Sequence, residues 1–385
     1  MTSPAKAQRR KGKKEALDLL GAFARDRSTQ VSRDKVQTMT AALSNPIALR
    51  HNRVTLRKTV VSCALLALAL LLAVILLSLV GSEQLPVGSS LCALLSLGTT
   101  PCGLSQDQFD ILFQIRLPRI LLAAAVGGSL ATAGASYQAL LRNPLAEPYL
   151  LGISNGAAVG TMVALVFFGA NEWSRPVLAF AGSLLATFAV YRLARGRAGA
   201  TPERLILAGV IVTTFLSSAI VFVTTLMDAT RIRSFTFWLL GDLSGTSKTL
   251  LPVTISIAVI GAIALTLNAR SLNLLMLGER DAFDLGVEVG RVRIVVFVVA
   301  SLLVGSSVAA SGSVGYVGLV VPHLARLSLG SDNRISIPAA ALGGAVFVIV
   351  ADTIARTIIA PRELPVGAIT ALIGAPLFIY LLKRG

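Results

Sequence analysis

The sequence predicts an all-helical protein that crosses a membrane about ten times. Three observations predict it. Hydrophobic residues make up 54% of the 385 and charged residues only 14%, whereas a soluble domain carries about 25% charged residues. The apolar residues also come in runs of the length that a bilayer demands of a helix, about 20 residues. Finally, the Lys and Arg residues fall unequally on alternate connections, as the positive-inside rule requires of a multi-pass chain.

The spans run in order over 59–81, 118–140, 150–168, 176–194, 205–226, 250–267, 294–311, 316–328, 336–356 and 364–382. The second carries Gly127, Gly128, Ala131 and Gly134, which read as close-packing positions. Arg192 closes the fourth as a snorkelling end. The fifth bears a stripe of Thr213, Thr214, Ser217 and Ser218. In the eighth, Pro322 marks a break, and the ninth ends with Asp352 and Arg356 at i, i+4, spaced to pair. The third and eighth are short or glycine-rich. Such segments are tolerated only when buried among other helices or lining a cavity, because lipid leaves backbone groups without partners.

An even number of spans places both termini on one side. Assigned to alternate faces, the connections hold 27 of the 35 Lys and Arg residues on the face of the termini and 8 on the other. That asymmetry predicts cytoplasmic termini in an inner cell membrane. It also accounts for most of the formal charge of +16, as basic loops against anionic membrane lipid rather than a nucleic-acid surface.

Residues 1–58 form a basic extension with 14 Lys and Arg and no span; residues 59–385 form the membrane domain. No apolar stretch follows Arg9-Arg10-Lys11, so a cleaved signal is not expected. Ala16, Leu17, Leu20, Phe23 and Ala24 share a helical stripe. The extension is read either as a mobile basic tail or as a helix on the leaflet or on a partner. Of the three cysteines, Cys63 lies inside the first span. Cys92 and Cys102 share an outward loop, where they stand as a bridge or as two buried thiols.

Several chemistries are absent from the residues. No Lys, Asp or Glu lies deep in a span, whereas ion-coupled carriers keep ionisable groups at mid-membrane. Gly245-Thr246-Ser247-Lys248-Thr249 lacks the adjacent Gly-Lys of a phosphate loop. There is no HExxH, no nucleophile elbow and no metal cluster, and only two histidines occur. The chain is therefore expected to be a transport subunit, not an enzyme, with no cofactor or metal of its own. His323, next to Pro322, reads as a structural hydrogen-bonding group. Energy for pumping must then come from another subunit. The alternative is a stand-alone secondary carrier for a small organic solute.

The longest connection on the side of the termini, 271–293, holds Leu274, Leu277, Ala282 and Leu285 with Gly278 and Gly286 as stops. It reads as two short helices at an angle whose exposed apolar face is a docking surface. The Arg116-Leu117-Pro118-Arg119 run opens the second span. Asn143-Pro144-Leu145-Ala146-Glu147-Pro148 and Leu151-Gly152-Ile153-Ser154-Asn155-Gly156 follow it. Gln138, Asn143, Ser154 and Asn155 are polar groups beside a proline break, set either to line a cavity or to bond helix to helix.

Together these stretches closely resemble the metal-chelate permeases of ATP-driven (ABC) importers, the family that carries iron-siderophores, haem and cobalamin. Further support lies in Trp238 to Gly245, Gly315 to Arg326, Ala351-Asp352-Thr353-Ile354-Ala355-Arg356, and Glu363 through Pro376. The resemblance spans about 105–385. It implies the type II ABC importer fold, an inverted internal repeat, a homodimer, two copies of an ATP-binding subunit and an extracytoplasmic binding protein. It implies that Arg116, Arg119 and Arg356 meet acidic residues of that binding protein. Leu277, Gly278, Glu279, Ala282, Leu285 and Gly286 would couple to the ATPase. Asn143, Leu145 and the loop at Thr201 match the inner gate, although Pro202 and Glu203 stand where relatives often carry small hydroxyl residues. Thr213 and Ser217 extend the expected path. A weak repeat aligns 129–152 with 307–330 at an offset of 178, and the five intervening helices would invert the two copies.

Overall fold

The computed structural model describes residues 56–385 apart from 169–172, 197–198, 246–248 and 385. The stripe from Ala16 to Ala24 and the rest of the extension lie outside the described residues. Each of the ten predicted spans is a helix. The first is α1 (Leu56–Leu79). A short α2 (Val87–Leu95) and an α3 (Gln106–Asp110) follow. The backbone then runs without a break through a π-helical turn (Ile111–Arg116) into α4 (Leu117–Leu140). Next come a 3-10 turn (Pro148–Leu151), α5 (Ile153–Phe167), α6 (Ser174–Ala194) and a minimal hairpin of β1 (Arg195–Gly196) and β2 (Gly199–Ala200). The second half holds more elements. They are α7 (Pro202–Thr224), α8 (Ala229–Leu239), α9 (Leu250–Leu267), α10 (Ala269–Leu277), α11 (Glu279–Asp284), α12 (Val289–Ser311), α13 (Val317–Leu329), α14 (Asn333–Thr357) and α15 (Val366–Arg384).

Helix ends follow local chemistry. Ser105 caps α3 in a reciprocal capping box with Gln108, and the carboxylates of Asp228 and Asp332 cap α8 and α14, each satisfying amides that the first turn leaves unpaired. Pro202 stands in the first turn of α7, where a missing N–H costs nothing; Pro118 follows directly on the π-helical turn, a place where helices accommodate proline.

The bundle is organised around α4, buried along most of its length and packed against α9, α12, α13 and α14. Lipid supplies no hydrophobic drive between apolar helices, so close contact of small residues must hold them. That is what α4 provides. A Cβ built on Gly127 would collide with the carbonyl of Gly344 in α14, and one on Gly134 with the carbonyl of Gly318 in α13. The small residues of the second span are packing positions, as expected. By contrast α1 and α7 are peripheral. None of the α1 apolar window is buried and 17% of the α7 window is, against 61% for α12.

Two helices, α5 and α13, have only 15 and 13 residues, roughly 20 Å of length against a hydrocarbon core of about 30 Å. Each is preceded by irregular backbone, at 141–152 and 312–316. The two irregular segments meet. Glu147 Oε1 accepts from the Tyr316 amide at 3.1 Å, and the Tyr149 hydroxyl donates to the Val314 carbonyl at 3.0 Å. Side chains from one thus satisfy backbone groups of the other, which makes non-helical chain inside a bundle affordable. The alignment at offset 178 sets the irregular segment 141–152 against helix α13, so residue by residue it does not match like with like. The likeness of the halves lies in element order: each has five long elements with the third the shortest.

Candidate functional site

Three groups of predicted site residues occupy three places. The first gathers where α1 and α14 end and α4 begins. Arg119 Nε donates to both Asp352 oxygens at 3.0 Å, Nη2 to Oδ1 at 2.9 Å, and Nη1 to Glu363 Oε2 at 2.8 Å. Arg116 donates to the carbonyls of Ser78 (3.3 Å), Leu79 (3.1 Å) and Glu83. Arg356 donates to the carbonyl of Leu77 at 2.8 Å and to the Thr353 hydroxyl at 3.3 Å. Because α1 stops at Leu79, the carbonyls of Leu77, Ser78 and Leu79 are its orphan last-turn carbonyls. Two guanidiniums cap them and oppose the negative end of the helix dipole.

Basic residues at span ends can reach water, but these three do not. All three arginines are buried, with their donors turned inward. The reason is the supply of acceptors: an exposed helix end and two carboxylates, one of them, Asp352, fully buried. The expected Asp352–Arg356 pair exists but is loose, at 3.9 Å, since Arg119 takes the carboxylate in a fork. Beside this cluster, Cys92 and Cys102 are joined in a disulfide. The bridge sits over a small apolar nucleus of Leu85, Ala93, Leu104 and Leu112.

The second group lies along α4, the 141–152 segment, α5 and α7. Asn143 Oδ1 accepts from the Leu145 amide at 2.9 Å, and the Asn143 amide donates to the Gln138 carbonyl at 3.1 Å. This is a turn of the kind that asparagine builds for itself, and it leaves Leu145 half exposed. Arg142 just before it has φ +50°, a left-handed conformation that a side chain adopts at a cost. Gln138 is buried; its amide donates to the Gly318 carbonyl at 3.3 Å and its oxygen accepts from Arg326. It therefore bonds α4 to α13, while also bordering a cavity of about 320 Å³ with Arg142, Pro144 and Arg326.

Asn155, Thr213 and Ser217 are brought together. Asn155 Nδ2 donates to the Thr213 carbonyl at 3.1 Å and to Ser217 Oγ at 2.7 Å. Ser154 is buried in the first turn of α5. Thr201 is separate, preceding α7 by one residue, and so about 18 Å along the helix from Thr213. Thr214 and Ser218 face outward, but their hydroxyls bond back to the carbonyls four residues earlier.

The third group is α10 and α11. The expected pair of short helices is present, broken at Gly278 (φ +148°) and ended at Gly286 (φ +84°). The apolar face differs from the one expected. Leu277, Phe283 and Leu285 are 67%, 72% and 60% exposed, with Met276 beside them, while Ala282 is fully buried and Leu274 partly so. The break at Gly278 resets the helical phase, so a single periodicity read across it rotates α11 wrongly and misses Phe283. Glu279 lies at the edge of that face, bordering a pocket with Phe283, but its carboxylate is bonded elsewhere. Its Oε1 accepts from Arg293 Nη2 at 2.6 Å and from Arg142 Nη2 at 3.2 Å, back toward the bundle. His323 is partly buried with its ring edge against Phe378. Among the described residues no group of three His, Cys, Asp or Glu is placed to hold a metal.

Sequence and structure comparisons agree with this architecture. Residues 66–384 match the FecCD transport family. The hemin transport system permease protein HmuU of Yersinia pestis is 42% identical over 281 residues, 72% of this chain and 84% of its own length. The cobalamin import system permease protein BtuC of Halobacterium salinarum is also 42% identical over 281 residues, covering 73% and 75%. A solved structure described as an inward-facing conformation of a metal-chelate type ABC transporter superposes with a TM-score of 0.75 at 30% identity, over 84% of this chain and 99% of that one. On the strength of a family match that runs from within the first span to the end of the tenth, the chain belongs to the FecCD transport family, as a multi-pass membrane permease with the type II ABC importer fold.

Proposed function

We propose that this permease moves a bulky metal chelate into the cytoplasm, drawing on ATP hydrolysed by a separate subunit. The observation that carries this reading is the exposed apolar cluster of Leu277, Phe283 and Leu285 on helices outside the main bundle. Three large apolar side chains held out by a glycine break are a surface awaiting a protein partner, and the partner chemistry of this family is an ATP-binding subunit. The motif-bearing residues of 277–286 divide the work: Leu277 and Leu285 make contact, Gly278 and Gly286 set the angle, and Ala282 and Glu279 anchor the loop to the bundle.

The working unit is proposed as a homodimer with two ATP-binding subunits, in the inner cell membrane, with both termini cytoplasmic. Helix α7 supports the second copy. Its face of Leu207, Ile211, Phe215 and Phe222 is exposed and carries the hydroxyls of Thr214, Ser217 and Ser218, a mixed surface better suited to a path between two copies than to lipid alone. Asn143, Leu145 and Thr201 are placed at the inner end of that path, and Asn155, Thr213 and Ser217 along it. On the outer side a binding protein docks over Arg116, Arg119 and Arg356. With their hydrogen bonds made inward, these arginines hold the docking surface in shape. The cargo class is an iron-siderophore, haem or cobalamin. Relatives named for hemin and for cobalamin stand at the same 42% identity.

The permease, co-purified with its ATP-binding subunit and binding protein in lipid nanodiscs, should hydrolyse ATP faster when hemin or cyanocobalamin is supplied on the binding protein. A complex in which neither these nor a ferric siderophore raises turnover sinks this reading. Gradient-driven uptake by the chain alone would establish the secondary-carrier alternative.

A further inference from the structure

We propose that Glu279 is the mechanical link between the coupling loop and the inner gate, a positioning residue that pulls rather than docks. The inference rests on the reading of 271–293 as the coupling loop. Three observations carry it.

First, the Glu279 carboxylate is the first group of α11, directly after the Gly278 hinge, and one turn before Phe283, with which it borders a shallow pocket. One oxygen holds two guanidiniums, Arg293 at 2.6 Å and Arg142 at 3.2 Å. Arg293 is buried near the start of α12. Arg142 is the residue immediately before the Asn143–Leu145 turn. One carboxylate therefore ties the loop to a long central helix and to the gate at once.

Second, Arg142 is held with φ +50°. Strained backbone of this kind persists where the surroundings impose it, and it is common at switch regions. Its guanidinium is partly exposed and pairs with Glu279 alone among the described carboxylates within ion-pair distance. Glu203, at the foot of α7, is close enough to feel the charges of both Arg142 and Arg293, so a released Arg142 has a second acid nearby.

Third, the turn has room to move. The cavity of about 320 Å³ borders Arg142 and Pro144 on the side of Arg326 and Asn333. Packed interfaces shift between discrete arrangements and do not deform continuously, and this space can receive a second one. Movement of α10 and α11 by a bound ATPase is passed through Glu279 to Arg142 and shifts the turn into or out of that space.

The test uses the whole complex with its ATP-binding subunit in nanodiscs and a nitroxide on Leu145 of each copy. In wild type, trapping with ATP and vanadate shifts the Leu145–Leu145 distance distribution. Arg142→Gln, which lies off the exposed apolar surface, should still trap vanadate yet lose at least half of the shift. Glu279→Gln should lose it likewise, and the exchanged pair Glu279→Arg with Arg142→Glu should recover it in part, which a merely structural role would not produce. The link is overturned if Arg142→Gln shifts as wild type does, if the exchanged pair recovers nothing, or if wild type itself shows no shift. Failure of hemin- or cyanocobalamin-stimulated turnover in wild type would instead remove the transport reading on which the link rests.

Discussion

Two ion clusters among the described residues, one around Asp352 and one around Glu279, use the same residue types to opposite ends. Around Asp352 the carboxylate is fully buried, gripped by three donor contacts from Arg119, and flanked by two more arginines seated on helix carbonyls. Around Glu279 a half-exposed carboxylate shares one oxygen between two guanidiniums, one of them exposed by more than a third. A buried charge without its partner is costly, whereas a half-exposed pair is screened and contributes little. The first cluster is a lock and the second a joint.

The comparison can be broken most directly at Asp352. Asp352→Ala leaves Arg119 buried against Glu363 alone, and should cost about 3–5 kcal/mol, read as a lower thermal midpoint of the detergent-solubilised chain. A small packing change tests whether the lock depends on its frame. Gly134→Leu must push α13 away from α4, at about 1–3 kcal/mol or more, with loss of the monodisperse species in size exclusion. Replacing Cys92 and Cys102 by serine should cost about 2–4 kcal/mol, measured as faster hydrogen exchange across 85–105 with the rest of the bundle unchanged.

Smaller effects belong to the side of the joint. Asp332 caps α14 and accepts from Asn273 Nδ2 at 2.7 Å. Burial pushes its carboxyl up, but the hydrogen bonds and charge of Arg334, with Asn273, outweigh this and hold it below the usual carboxylate range. A depressed carboxylate stabilises above its unfolded pKa and loses that contribution as pH falls through the lower folded value. Asp332→Ala should therefore cost about 1 kcal/mol at neutral pH and nothing once the pH is below both values, as followed by exchange of the Arg334 amide. Smallest of all, Phe283→Ser should leave the thermal midpoint within about 0.5 kcal/mol of wild type while weakening retention of the ATP-binding subunit on co-purification. A large loss of stability there would show that the exposed face is not free.

The fold was legible because lipid allows so few solutions. Ten apolar runs became ten helices with edges shifted by a few residues, as at α7, which starts at Pro202 and not at 205. The glycines of α4 could be read as contacts because small residues have no other use at that spacing. The site was legible in its positions but less so in its directions. Arg116, Arg119 and Arg356 are basic residues at span ends, and nothing local says whether they turn to water or inward, Arg116 and Arg356 to carbonyls of α1 that are 37 to 279 residues away in sequence and Arg119 to Asp352, 233 residues away. Likewise Arg142 and Arg293 carry no mark that sends them to Glu279. Phe283 was hidden by the phase reset at Gly278, and Glu147 by its place in a connection that only the fold draws into the bundle.

The pairing of the two irregular segments bears on biosynthesis. Glu147 and Tyr149 belong to the first half of the chain, yet the amide and carbonyl that they satisfy, at Tyr316 and Val314, are made some 165 residues later. The first five spans can enter the bilayer on their own apolar content, but they hold an acid and a hydroxyl whose partners have not yet been synthesised. The first half therefore waits, inserted but unfinished, and the arrival of 312–316 is the event that closes the bundle. A ribosome stalled before that point should present a permease whose 141–152 segment is open to protease or label, and one stalled after α13 has emerged should not.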